Sequence, residues 1–354
     1  MKMPEAVKDK PADRTVLRGV LRRLVIAALL MLLLCSITGC VRRNSRVPAL
    51  LNKRTMAVDS SRPAADTRID IPSKPSPREV AVLFNNAPAY AEVVGQLKKM
   101  LVPASYRLTL VDLGAENWRT RVHSLRGRQG LVVVAIGLRA ARIARDQINA
   151  PVVFAQVFNY QELLVGGRAI RGVTAMPPLD LQIQEWKKFD PELHRVGLLV
   201  SQSHRDLILQ ADHAAKAAAV TLKAEISESD RETLYLFKRL APQIDGLWLV
   251  PDDRILSPAV LKELLTYAAL HGIRVCVFSD VLLQWGALMS ATPSPQDVAR
   301  TLHHVLEGMM ADGANTLPAV TPLSELVVRI NRDVAAPLRR TFPPRGSWVV
   351  RGKP

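Results

Sequence analysis

Residues 130–136 read GLVVVAI, and Gly137 then opens a stretch rich in Ala and Arg. An unbroken, β-branched apolar run of this length reads as a strand buried on both faces, because a half-exposed strand would alternate with polar residues. A strand covered on both sides needs helices above and below it, and the neighbouring sequence supplies them. Upstream, residues 80–84 (VAVLF) form a second short apolar run. Residues 89–101 then place Val93, Val94, Leu97, Met100 and Leu101 at helical spacing. Residues 106–111, 152–158 and 171–174 read as further strands.

The alternation then repeats. Strands are expected at 195–200 (RVGLLV), 221–224, 245–250 (DGLWLV) and 273–278 (IRVCVF), with helices within 206–219, 232–240 and 258–272. Strands separated by amphipathic helices imply parallel sheets. Two such sets imply an α/β chain of two Rossmann-like lobes, and 354 residues suffice for two cores. In such sheets ligands bind beyond the carboxyl ends of the strands.

The first 78 residues have another character. A cationic segment ends at Arg23, and residues 24–34 (LVIAALLMLLL) are wholly apolar. This run is too short to span a bilayer, which takes about 20 residues, but it suits the core of an export signal. Ile37-Thr38-Gly39-Cys40 follows and resembles the bacterial lipobox, which implies cleavage before Cys40 and lipidation of its thiol. Val41, where an aspartate would signal inner-membrane retention, favours the outer membrane. Residues 40–78 hold Pro48, Pro63, Pro72, Pro75 and Pro77 among many charges and read as a flexible tether.

The net charge of +16 is concentrated towards the amino terminus, where Arg42, Arg43, Arg46, Lys53 and Arg54 cluster. Basic residues beside a lipid anchor suit an anionic membrane surface, or a solvated linker, better than a nucleic-acid groove. No nucleic-acid-binding motif is present, so no such partner is expected. Of three cysteines, Cys35 lies in the leader, Cys40 in the lipobox and Cys276 in an apolar strand, which leaves no disulfide and no CxxC pair. There is no GxSxG, P-loop or HExxH, and His303 and His304 point about 100° apart on a helix, so neither enzyme, cofactor nor metal is expected.

Several segments, in order, resemble one family. They are Ile136-Gly137, the run 151–155 with Phe158-Asn159, Arg171-Gly172-Val173-Thr174, the run 195–199, the run 245–253, Leu256-Ser257-Pro258, Gly272 to Val275, Phe278-Ser279, Gly286-Ala287-Leu288 and Val328 to Asn331. Residues 80–343 thereby resemble ABC-transporter substrate-binding proteins of the tryptophan- and tyrosine-uptake type, with the type I periplasmic-binding-protein architecture. The resemblance implies lobe 1 at 79–177 plus 288–317, lobe 2 at 178–287 plus 318–342, and a basic tail at 343–354. It also implies a small polar ligand, amino-acid-like and of the amino-acid or aromatic amino-acid class, and an ABC permease or other envelope protein as partner. The chain departs from the family pattern at Leu138-Arg139, at Asn159 and in the short loop Gly166-Gly167-Arg168.

Strand ends and resemblance point to the same candidate ligand contacts. They are Asn85, Asn86, Gly137, Leu138, Gln156, Phe158 and Asn159 in the first lobe. In the second they are Ser201, Gln202, Ser203, Asp206, Asp252, Asp253, Ser279 and Asp280. Helix starts offer free N–H groups to a carboxylate, and the aspartates suit an ammonium or hydroxyls; the same residue types also cap helices. Two other roles fit this fold: an envelope interaction protein without a small ligand, and a sensory receptor feeding a signalling partner.

Overall fold

All six side chains of the strand Leu131–Ile136 are buried, and the rest of the first lobe is arranged around it. In the computed structural model the described residues are 78–104, 106–165, 169–311, 316–338 and 347–352. The expected signal peptide, Cys40, nearly all of the tether and the loop 166–168 lie outside them.

The strands, in chain order, are β1 (Glu79–Phe84), β2 (Arg107–Asp112), β3 (Leu131–Ile136), β4 (Val152–Ala155), β5 (Ile170–Val173), β6 (Arg195–Ser201), β7 (Thr221–Ser227), β8 (Gly246–Trp248), β9 (Arg274–Val277), β10 (Met289–Pro293), β11 (Val320–Thr321), β12 (Glu325–Ile330) and β13 (Ser347–Arg351). Among the described residues they form two sheets, ordered β11-β5-β4-β3-β1-β2 and β13-β12-β10-β9-β8-β6-β7. Every pairing in the first sheet is parallel. The second is parallel from β7 to β10 and antiparallel at β12 and β13.

Each sheet is covered on both faces, as its continuous apolar strands demand. On the first, α1 (Pro88–Leu101) packs one face through Val93, Leu97 and Leu101. The helices α2 (Trp118–His123) and α3 (Leu138–Gln147) cover the other. On the second, α4 (Leu179–Phe189) and α5 (Arg205–Ala217) lie on one side, and α6 (Asp230–Leu240) and α7 (Pro258–Leu270) on the other. A further helix, α8 (Pro295–Ala311), joins α1 over the first sheet through Val298, Leu302 and Val305.

The chain passes between the lobes at residues 174–178, at 294 and at 322–324. Two expected boundaries are corrected here. Met289–Pro293, expected in lobe 1, is β10 of the second sheet, because it pairs with β9 and β12. Val320–Thr321, expected in lobe 2, pairs with β5 of the first sheet. The expected basic tail contains β13, where Trp348 and Val350 pack on the second core and Trp348 Nε1 donates to Glu185 Oε2 at 3.2 Å. The strand expected over 152–158 stops at Ala155, since Gln156 turns into the left-handed region at φ 55°.

Candidate functional site

The parallel strands of each sheet end at one edge, and a cavity of about 800 Å³ lies where these edges meet. That is within the usual range for a small-molecule pocket, about 300–1,000 Å³. The first lobe contributes the start of α1 (Ala87 to Tyr90), Leu138 after β3 and Gln156 to Asn159 after β4. The second contributes Leu249, Pro251 and Asp253 after β8, Phe278 to Val281 after β9, and Val327 and Arg329 of β12. The crossover residues Ala175 to Pro177 and the end of β10 close the back.

Of the expected contacts, Leu138, Gln156, Phe158, Asn159, Asp253, Ser279 and Asp280 line this cavity. Asn85, Asn86, Gly137, Ser201, Gln202, Ser203, Asp206 and Asp252 do not. Asn85 instead accepts from Arg139 Nη1 at 3.4 Å, and Asn86 is exposed. Gly137 has φ 87°, and a Cβ there would come within 2.9 Å of the Tyr90 ring. Its lack of a side chain lets Tyr90 line the cavity in its place.

After β6 the chain turns through a 3₁₀ segment, Gln202–His204, which carries the β6 loop away from the cavity. Gln202, Ser203 and Asp206 are exposed, and Ser201 is buried against Ser203 and His204. Asp252 is fully buried. Its carboxylate accepts from the Ser201 N–H at 2.8 Å and the Arg254 N–H at 3.3 Å, and lies 3.2 Å from His204 Nδ1. Burial pushes this carboxyl up, but hydrogen bonds from His204 and Ser201 outweigh it and bring the pKa down to about 2. Asp252 is therefore a tied group in the second lobe, while its neighbour Asp253 faces the cavity.

Polar groups converge on the cavity from both lobes. Asn159 Nδ2 donates across the interface to Asp253 Oδ1, which fixes the amide orientation because a carboxylate only accepts. Asn159 Oδ1 is then left buried without a hydrogen-bond partner among the described residues, and so is Gln156 Oε1. Asp280 opens a 3₁₀ segment, Asp280–Trp285, accepts from Ser290 Oγ at 2.5 Å and pairs with Arg329. At the back, Trp248 Nε1 donates to Gln182 Oε1 at 3.0 Å, and Gln182 donates to the Pro177 carbonyl at 2.8 Å.

Sequence reading did not single out Tyr90, Glu92, Met176, Gln182, Thr292 or Arg329, all of which line the cavity. For Arg329 a signal existed. In β12 Leu326, Val328 and Ile330 are buried, so a period of two turns Val327 and Arg329 the other way. Tyr90 carries no such signal, because its placement depends on the space above Gly137.

Cys276 is buried in β9, and burial pushes its thiol up. Among the described residues no cluster of three or more His, Cys, Asp or Glu could hold a metal ion. Nor is any of their helices long and apolar enough to cross a membrane.

No protein-family model matches the sequence, and no curated protein matches it. Solved structures do. The ABC domain in complex with L-Trp from Streptococcus pneumonia has a TM-score of 0.51 and 18% identity, covering 76% of this chain and 97% of that one. A conserved domain protein from Vibrio cholerae has a TM-score of 0.52 and 16% identity, covering 76% and 97%. The ligand-free, open structure of a substrate binding protein with adhesive properties from Clostridium difficile has a TM-score of 0.55 and 14% identity, covering 75% and 96%. At these identities the likeness shows the fold: two α/β lobes in the type I periplasmic-binding-protein architecture.

Proposed function

We propose that this chain is the lipid-anchored solute-binding component of an ABC-type uptake system, taking a small polar, amino-acid-like ligand between its lobes. One observation carries the reading. The cavity of about 800 Å³ sits at the carboxyl ends of both sheets and holds the buried, unpartnered amide oxygens of Gln156 and Asn159. A buried acceptor without a donor costs about 1–3 kcal/mol, and a ligand N–H or O–H would recover it. Closure of the lobes around that ligand would present one face to a permease. Cys40 would hold the protein on the periplasmic side of the envelope, in the outer membrane by the residue at 41. The site is read as binding without catalysis.

The test is a thermal-shift screen of the purified, refolded chain against amino acids, small carboxylates, sugars and nucleosides. L-Trp, present in the Streptococcus structure, comes first. A ligand at about 100 times its Kd adds roughly 2.7 kcal/mol, a readily seen shift in Tm. Cells fed labelled palmitate should label the native chain and not Cys40→Ser.

A second reading, an envelope interaction or sensory partner of the same fold, is favoured by the protein's own links across the cleft edge. Asn159 binds Asp253, and Phe158 stacks on His204. A folded chain that no compound shifts would support this reading instead.

A further inference from the structure

We infer that the ligand of this cleft is a net cation, an ammonium on an apolar or aromatic body, rather than a zwitterion or an acid. The inference rests on the small-ligand reading above and puts an amine in place of its amino-acid-like ligand.

The charge of the lining is the first argument. Glu92, Asp253 and Asp280 face the cavity, and among the described residues that line it Arg329 is the one cationic side chain. The chain as a whole carries +16, so an acidic cleft is a local reversal. Within it Arg329 is already engaged by Asp280, which Ser290 also holds. The guanidinium is thus committed to the protein's own carboxylate, while the negative charges of Glu92 and Asp253 have no cationic partner among the described residues.

The second argument is independent of charge. Asn159 is 5% exposed, lines the cavity and leaves its Oδ1 without a partner. Its orientation is fixed by the bond to Asp253, so the open group is an acceptor. Gln156 Oε1 is a second buried oxygen at the cavity without a partner among the described residues. An ammonium offers three donors and no acceptor, which matches two carbonyl oxygens and nearby carboxylates. A carboxylate would meet these same oxygens with repulsion.

The third argument concerns the body of the ligand. Tyr90, Phe158 and Phe278, with Met176 and Leu249, make much of the remaining wall apolar. Aromatic faces favour a cation and accept an apolar body equally.

The experiment is calorimetric titration of the full-length chain in detergent with two matched series. One is tryptamine, tryptophan and indole-3-propionate; the other is isoamylamine, leucine and 4-methylpentanoate. In at least one series the amine should bind about tenfold more tightly than the amino acid, the acid should not bind, and affinity should fall as salt rises. Glu92→Gln alters an exposed side chain and should weaken the amine about two- to fivefold, the range of an exposed ion pair, and Asp253→Asn, which also releases the Asn159 amide, should weaken it at least as much. Tighter binding of an amino acid or an acid would keep the receptor and overturn the cation, placing the ligand carboxylate at the start of α1. Binding by none of the compounds to a cooperatively folded chain would overturn the cation, and the thermal-shift screen with sugars, nucleosides and carboxylates then decides the receptor separately.

Discussion

His204 of the second lobe lies flat on Phe158 of the first, with ring centroids 4.1 Å apart and planes 20° apart. The same imidazole approaches Asp252 through Nδ1 at 3.2 Å and the Phe158 carbonyl through Nε2 at 3.4 Å. One side chain therefore couples a buried carboxylate of one lobe to a cavity-lining loop of the other. His204→Ala should remove the ring contact, worth about 1 kcal/mol, and take one side-chain donor from Asp252, leaving those of Ser201 and Arg254, costing about 1–3 kcal/mol more. Urea denaturation should show the loss. Small-angle scattering should show a larger radius of gyration if the ring also limits opening, and an unchanged radius would confine its role to stability.

Asp252 gives a pH dependence of definite sign. Its pKa is lowered from 3.8 to about 2 in the folded chain, so its ionised form stabilises the fold above pH 3.8. That contribution, about 2 kcal/mol, disappears as pH falls through the folded value. Asp252→Asn should be less stable than the parent at pH 5, and the gap should narrow by about 2 kcal/mol towards pH 2. Urea midpoints at four pH values would measure it; a constant gap would contradict the assignment.

Two glycines should respond in opposite directions to alanine. A Cβ at Gly172 in β5 would lie 2.1 Å from the buried Phe154 ring, itself stacked on Tyr160. Gly172→Ala should destabilise by about 1–3 kcal/mol through overpacking. Gly95 lies exposed in α1 with nothing within 4 Å of its Cβ position. Gly95→Ala should stabilise by about 0.4–1 kcal/mol, through helix propensity and a less flexible unfolded chain. Melting temperatures of the two variants should fall on either side of the parent.

The sheets were legible because their signal is local. Residues 131–136 and 196–200 are free of charged and polar side chains, and β3 and β6 bury nearly every side chain. The crossovers were less so, since β10 and β11 are short and their sheet is decided by partners far away in sequence. Strand-end reasoning found Gln156, Asn159, Asp253 and Asp280, because a parallel sheet puts those positions at one edge. It could not separate Asp252 from Asp253. Their difference is a rotation of one residue, settled by the Ser201 N–H and by His204, which a 3₁₀ turn brings close. It also could not show Arg329 neutralising Asp280, a pairing 49 residues apart.

The returning crossover is tied to the first lobe by a buried carboxylate, and its removal should be costly. Asp297, in the first turn of α8, is 1% exposed. It accepts from the Ser324 and Glu325 N–H groups at 2.7 and 2.9 Å and from Ser324 Oγ at 2.9 Å, and pairs with Arg300 at 3.3 Å. It thus pins residues 324–325, where the chain re-enters the second lobe, to the helix that packs on the first. Asp297→Ala strands two backbone donors and leaves Arg300 leaning on Glu325, which also pairs with Arg351. A loss of about 2–4 kcal/mol is expected from the unmet donors and the broken ion pair. Asp297→Asn keeps one acceptor oxygen and should lose less. Asp206→Ala, a change at an exposed aspartate of α5, should stay within about 0.5 kcal/mol of the parent and serves as the control. Urea midpoints for the three variants, compared at pH 7, should rank in that order; an Asp297→Ala chain as stable as the control would mean that the crossover is held elsewhere.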